Sequence, residues 1–271
     1  MAANVSSARD SKRPSRRPVT KVPQRHSQIL QLVQARGFVT VDFLSRELGV
    51  TPQTVRRDVN LLSRDGHLVR YRGGAGIAPS TENVAYVQRK VLCLEEKRRI
   101  ARMVAAAIPD HASLFVNIGT TTEEVARELV HHRRLKVITN NLHVASILGA
   151  NEDLEVIVAG GLVRHRDGGI VGPLTIDFIQ QFRVDYGIIG ISGIDLDGTL
   201  LDFDYREVRA ARTIIDNSRS VFLVADHTKF GRNAMVRLGC VTEIDALFTD
   251  ELPPPPLLDV VRTSKVQLHV P

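Results

Sequence analysis

The stretch VTVDFLSRELGVTPQTVRRD, residues 39–58, limits what this chain can fold into more than any other. Val41, Leu44 and Leu48 fall at helical spacing, Gly49 and Val50 interrupt, and a second periodic segment follows. Thr51 suits an N-cap, and Pro52 suits the first helical position, where a missing N–H costs nothing. Val55, Val59 and Leu62 then form one apolar stripe that must face inward. The same geometry turns Gln53, Arg56, Arg57 and Asn60 outward. Such side chains read base edges in a major groove, and Arg also grips phosphate. The pattern is that of a helix-turn-helix, with Thr51, Gln53, Thr54, Arg56, Arg57 and Asn60 as candidate DNA contacts.

A solvated pair of surface helices would share this spacing. The residues that follow argue against it. His67-Leu68-Val69-Arg70-Tyr71-Arg72-Gly73-Gly74 is a short β-prone run with alternating arginines, closed by glycines. It reads as a β-wing in which Arg70 and Arg72 reach the DNA backbone or minor groove. Upstream, residues 24–36 form an expected supporting helix with Ile29, Leu32 and Val33 inside. Charge agrees. Residues 1–77 hold 14 Lys and Arg against 5 Asp and Glu, a net of +9, and the remainder holds 22 against 25, a net of −3, giving +6 for the whole. A small basic domain joined to a slightly acidic larger one points to nucleic-acid binding coupled to a second task.

The 271 residues suffice for two domains. No apolar run approaches the roughly 18 residues of a membrane span, and the N-terminus lacks an apolar signal core, so the expectation is a cytoplasmic protein. Cys93 and Cys240 stand alone without metal-ligand spacing and are expected to be buried small apolar residues. No metal site, cofactor motif or catalytic constellation is legible.

From residue 95 the pattern changes. A helix over 95–108 precedes short apolar strands at 114–118, 136–139, 154–159, 186–191, 221–225 and 246–249. Helices are expected between them at 122–129, 142–148, 174–182 and 204–217. Near-continuous apolar strands alternating with helices predict a mostly parallel sheet covered on both faces. The prolines at 253–256 mark a break, and 266–270 could add an edge strand.

In open sheets of this type ligands sit beyond the carboxyl ends of the strands. Gly119, Thr120 and Thr121 lie between a strand and a helix and could cradle an anion. Asn141 follows the next strand, Gly160 the one after, and Lys229 a later one. Singly, a Gly-Thr-Thr run is a good N-cap and a lysine is a surface lysine. Together they point to a small anionic, phosphorylated ligand. Asp195, Asp197, Asp202 and Asp204 around Gly198 lack EF-hand spacing and read as a turn.

The runs QRHSQILQLV, VTPQTVRRDVNLL, RYRGGA, FVNIGTT, VITNNLHVA, DFDYREVRAARTIIDNSR and DHTKFGRNAMV resemble the DeoR family of bacterial transcriptional regulators over about residues 24–252. The resemblance implies a winged helix-turn-helix over 22–77; the stretch before it, 1–21, is basic, proline-containing and without periodicity, reads as a disordered tail, and lies outside the family pattern. A linker, 78–94, would lead to an α/β sensor over 95–252 that resembles sugar-phosphate isomerases and coenzyme A transferases, with 253–271 as a C-terminal tail. It implies a homo-oligomer on operator DNA that represses genes of glycerol and glycerol 3-phosphate use, with glycerol 3-phosphate as inducer. By position, Gly119, Thr120 and Thr121 would hold the phosphate, with Asn141 beside it. Lys229 would neutralise charge, and Ser192 and Gly193 would form part of the wall; Gly160, read from its place after a strand, lets the backbone approach a ligand closely. Asn117 departs from the family, which usually has Asp there. The residues alone leave open another sugar phosphate as effector, and a sugar-phosphate isomerase-like enzyme drawing on Asp204, Glu207 or Asp226. A purely DNA-compacting protein would not need the α/β domain.

Overall fold

The computed structural model describes residues 22–36, 38–71, 73–77, 83 and 85–271. The expected tail, 1–21, and Arg72 lie outside the described residues.

The N-terminal unit runs α1 (Val22–Arg36), β1 (Phe38–Thr40), α2 (Val41–Leu48), α3 (Pro52–Arg64), β2 (Leu68–Tyr71) and β3 (Gly74–Ile77). The three strands pair antiparallel in the order β1-β3-β2, so the wing hairpin is closed by a strand from before the helix-turn-helix. Thr51 Oγ1 accepts from Thr54 N at 3.2 Å, and Pro52 opens α3 as its spacing predicts. Ile29, Leu44, Val55, Val59, Leu62 and Leu68 bury together in one small core. Asp58, also on α3, is buried. It accepts from Arg25 Nε at 2.5 Å and Nη2 at 3.1 Å, and lies 3.2 Å from His26 Nε2. This pair ties α1 to α3 beneath the exposed face.

The expected linker, 78–94, is partly helical: α4 (Tyr86–Val91) precedes α5 (Leu94–Ala107). The rest alternates as β4 (Ser113–Val116), α6 (Thr120–Leu129), β5 (Lys136–Thr139), α7 (Leu142–Leu148), β6 (Glu155–Val158), β7 (Leu162–Val163), β8 (Ile170–Val171), α8 (Pro173–Ile179) and β9 (Val184–Gly190). A hairpin of β10 (Gly193–Ile194) and β11 (Thr199–Asp202) follows, turning at the Asp-rich stretch as expected. Then come α9 (Tyr205–Asp216), β12 (Ser218–Val224), β13 (Val236–Cys240), β14 (Ala246–Phe248), α10 (Pro255–Thr263) and β15 (Gln267–His269).

Seven strands form one sheet in the order β15-β14-β12-β9-β4-β5-β6, and every pairing is parallel. Residues 253–271 are therefore not a tail: α10 packs Leu257 and Val261 into the core, and β15 extends the sheet. One core lies under α5, α6 and α7, with Leu114, Val116 and Ile188 from the sheet. The other holds Phe115, Ile189 and Leu223 against α8, α9 and α10. The cysteines are free and half-buried rather than buried.

Removing Asp58 strands a buried guanidinium. Asp58→Ala should destabilise the N-terminal unit by about 3–5 kcal/mol, read as a lower urea midpoint for that unit. An unchanged midpoint would show that the pair contributes nothing to its stability.

Candidate functional site: a helix face and a cationic cleft

Two surfaces of different chemistry emerge. On α3, Gln53, Arg56, Arg57 and Asn60 are exposed side by side, with Leu61 and Arg64 extending the face. Arg70 of the wing donates to Asn60 Oδ1 at 2.9 Å, which fixes the wing against the helix. Thr51 and Thr54 bond each other at 2.9 Å while Thr51 caps the helix. Arg64 was missed in the sequence because it falls past the apolar stripe used to define the helix. No salt bridge occupies Arg56 or Arg57 among the contacts found for the described residues, and both can meet an anionic partner.

The second surface is a cleft over the carboxyl ends of β4, β9 and β12. The chain runs from β4 outward to β5 and β6, then returns to β9 on the other side. The β4/β9 boundary is thus the switch point where such sheets open a crevice. Gly119, Thr120 and Thr121 line it at the start of α6. Gly119 has φ 154°, and a Cβ there would meet Thr122 Oγ1 at 3.2 Å. Thr122 Oγ1 donates to the carbonyls of Asn117 and Gly119, both at 2.8 Å, leaving the first amides of α6 for a ligand.

Ser192 and Lys229 also line the cleft. Ser192 donates to Asp202 at 3.0 Å, and Lys229 lies 3.7 Å from Asp226. Gly193 sits just behind: a Cβ there would lie 2.1 Å from the Arg232 carbonyl, so the glycine lets Arg232 reach the cleft. Asn141 and Gly160 do not line it. They follow β5 and β6, on the far side of β4, and strand order is not written in the sequence. Asn141 is buried and caps α7, accepting from His143 N at 2.9 Å. Gly160 is exposed, and its carbonyl accepts from Thr175 at 2.8 Å. Asn117 is buried beside the cradle with Oδ1 unbonded among the described residues.

The structure adds Arg89, Arg232, Asp202 and Glu207 to the lining. Burial pulls Lys229 below the ordinary lysine value against the opposing charge of Asp226. Burial and the nearby Arg89 lower Arg232 to about 10. Burial raises Asp202, and burial with the charge of Asp202 lifts Glu207 to about 7 although Arg164 opposes it. Arg164 donates to Glu207 at 2.6 Å and to Asp204 at 3.1 Å, so that carboxylate is already engaged. Crowded cations lowered by one another favour an anion, and the carboxylates in the same lining accept from hydroxyls. A small polyol phosphate presents both.

His227, Asp250 and Glu251 also come together. His227 Nδ1 lies 2.6 Å from Asp250 Oδ2, closer than the about 3.3 Å between two ligands of a tetrahedral zinc. That contact is an ion pair. Burial alone would lower His227, but the Asp250 hydrogen bond and charge, with Glu251 and Asp226, raise it to about 9.

Two family models match: the DeoR-like helix-turn-helix domain over residues 25–81 and the DeoR C terminal sensor domain over 93–251. The chain belongs to the DeoR family. It is 50% identical to the glycerol-3-phosphate regulon repressor of Escherichia coli over 250 residues, covering 92% of this chain and 99% of that protein. It is 44% identical to the HTH-type transcriptional repressor CsqR of Escherichia coli over 247 residues, covering 91% and 95%. Among solved structures, ribose 5-phosphate isomerase A of Methanocaldococcus jannaschii matches with TM-score 0.39 and 12% identity, covering 51% of this chain and 55% of that one. A likeness that loose says nothing of activity. This DeoR-family chain is a transcriptional regulator, not an isomerase. No helix among the described residues is long and apolar enough to cross a membrane.

Two outcomes follow. Arg56→Ala and Arg57→Ala should each weaken operator binding by about 1–3 kcal/mol where the side chain reads a base, in a fluorescence-anisotropy titration. Unchanged affinity in both would remove this face from the DNA interface. For His227, the folded value lies above the unfolded 6.5, so its contribution to stability is present below pH 6.5 and is lost as pH rises through about 9. Urea midpoints across that range should fall in the wild type and fall less in His227→Gln; equal slopes would refute the pair's contribution.

Proposed function

We propose that the chain represses genes of glycerol and glycerol 3-phosphate use by binding their operators, and that a small phosphorylated inducer, glycerol 3-phosphate, releases it. The observation that carries this reading is the cleft itself: the first amides of α6, Lys229, Arg89 and Arg232 are gathered with the carboxylates of Asp202 and Glu207 in one lining. The phosphate would accept from the amides at Gly119–Thr121 and from Lys229. The hydroxyls would donate to Asp202, with Ser192 alongside. A homo-oligomer would set two α3 helices in successive major grooves. Attraction of the basic N-terminal unit for phosphate makes affinity fall steeply with salt.

Inducer and operator are linked: if the inducer weakens DNA binding by some factor, DNA weakens inducer binding equally, with coupling of about 1–3 kcal/mol in typical cases. A second reading keeps the repressor and changes the effector to another sugar phosphate. The 44% identity to a differently named repressor favours keeping it in view.

The test is an anisotropy titration of DNA upstream of a glycerol-uptake operon at fixed salt, with and without glycerol 3-phosphate. Specific binding that glycerol 3-phosphate weakens is expected, and Lys229→Ala should bind the same DNA without responding. Specific binding that yields only to a different sugar phosphate would establish the second reading. Absence of specific binding would end both.

A further inference from the structure

Asn83 and α4, within the segment that joins the two domains, close one side of the cleft. Arg89, on α4, is a lining residue. Its guanidinium lies 3.7 Å from Asp167 of the sensor and 5.9 Å from the ring centre of Tyr86 on the same helix. Asn83, just ahead of α4, bonds two other lining residues. Its Nδ2 donates to Ser192 Oγ at 3.2 Å, and its Oδ1 accepts from Arg232 Nη2 at 2.9 Å. Arg232 is 3% exposed, and its Nε is buried with no hydrogen-bond partner among the described residues.

The rest of α4 is fastened to the sensor as well. Tyr86 donates to the buried carboxylate of Glu123 in the first turn of α6, at 2.9 and 3.0 Å. Its ring stacks on His143 of α7 at 5.4 Å. At the other end of α4, the buried Lys97 ammonium donates to the carbonyls of Arg89 and Leu92, capping the helix from α5. Helices with few residues need such outside partners, since six residues alone do not hold a helix in water.

We infer that Asn83 and α4 form a working wall of the effector site, with Arg89 a ligand of the effector anion and Asn83 a latch that the effector displaces. This rests on the cleft being the effector site, as proposed above. A charged acceptor outcompetes a neutral amide for a guanidinium. An anion entering the cleft therefore takes Arg232 from the Asn83 amide and draws on Arg89. The contacts that seat the linker change at the moment of binding, and the linker leads directly to β3 and the wing. Asn83 acts through Arg232 and Ser192 and is a positioning residue.

The experiment measures calorimetric binding of glycerol 3-phosphate, with inorganic phosphate as a second probe, to the full chain. It pairs this with operator release and hydrogen exchange of the 83–92 peptide. Arg89→Ala should lower affinity for both probes by about tenfold or more, with Arg89→Lys intermediate. Asn83→Ala should bind glycerol 3-phosphate at least as tightly as the wild type, yet release operator over a smaller affinity ratio. In the wild type, glycerol 3-phosphate should change exchange of the 83–92 amides. Wild-type affinity in Arg89→Ala, or wild-type release in Asn83→Ala, would overturn the inference while leaving the effector site standing. A wild type that binds neither probe would remove the site, and the latch with it.

Discussion

Every strand of the central sheet points the same way, and this constraint organises the sensor. Parallel strands need a crossover between each pair, so helices cover both faces and the strand ends collect at one edge. The chain begins at the middle of the sheet, builds outward, and returns to the other side of β4. A crevice must open where the two directions part, and that is where α6 starts. The cradle at Gly119, the Ser192 turn and Lys229 come from strands far apart in sequence, brought together because β4, β9 and β12 are neighbours.

The charges in the crevice balance only as a group. Lys229 is opposed by Asp226, Glu207 by Arg164, and Arg232 by the Asn83 amide and the Ser192 carbonyl. Isolated, each would be too costly to bury. The group still leaves cationic donors in the lining, with Arg232 Nε unbonded among the described residues, which suits the anion proposed above. Of the carboxylates an isomerase-like enzyme could draw on, Asp204 and Glu207 are paired with Arg164, and Asp226 faces Lys229 at 3.7 Å.

Much of the fold was legible in the sequence. The helix-turn-helix followed from the 41–62 periodicity and the Thr51-Pro52 start, because caps and stripes are local properties. The alternation of strands and helices was legible for the same reason. Strand order was not, so Asn141 and Gly160 were grouped with residues that β5 and β6 keep away from the cleft. Arg89 and Asn83 left no signal, since they lie in a stretch read as a linker and gain meaning only from where α4 docks. The prolines at 253–256 read as a break, and the edge strand expected at 266–270 is present as β15, but Pro255 and Pro256 begin α10, as proline can at a first turn, so the segment is not a tail. Asp58 was hidden in the same way, a charge on the inner side of a helix whose partner is 33 residues back.

That hidden charge separates two jobs on α3. One side of the helix, with Val55, Asp58, Val59 and Leu62, holds it to the domain; the other presents Gln53, Arg56, Arg57 and Asn60 to solvent. Exchanges on an exposed face typically alter stability by less than about 0.5 kcal/mol. The address this protein reads can therefore be rewritten without disturbing the frame that carries it. On the reading proposed above, the same scaffold with a handful of outward side chains replaced is free to serve a different promoter while keeping its sensor unchanged.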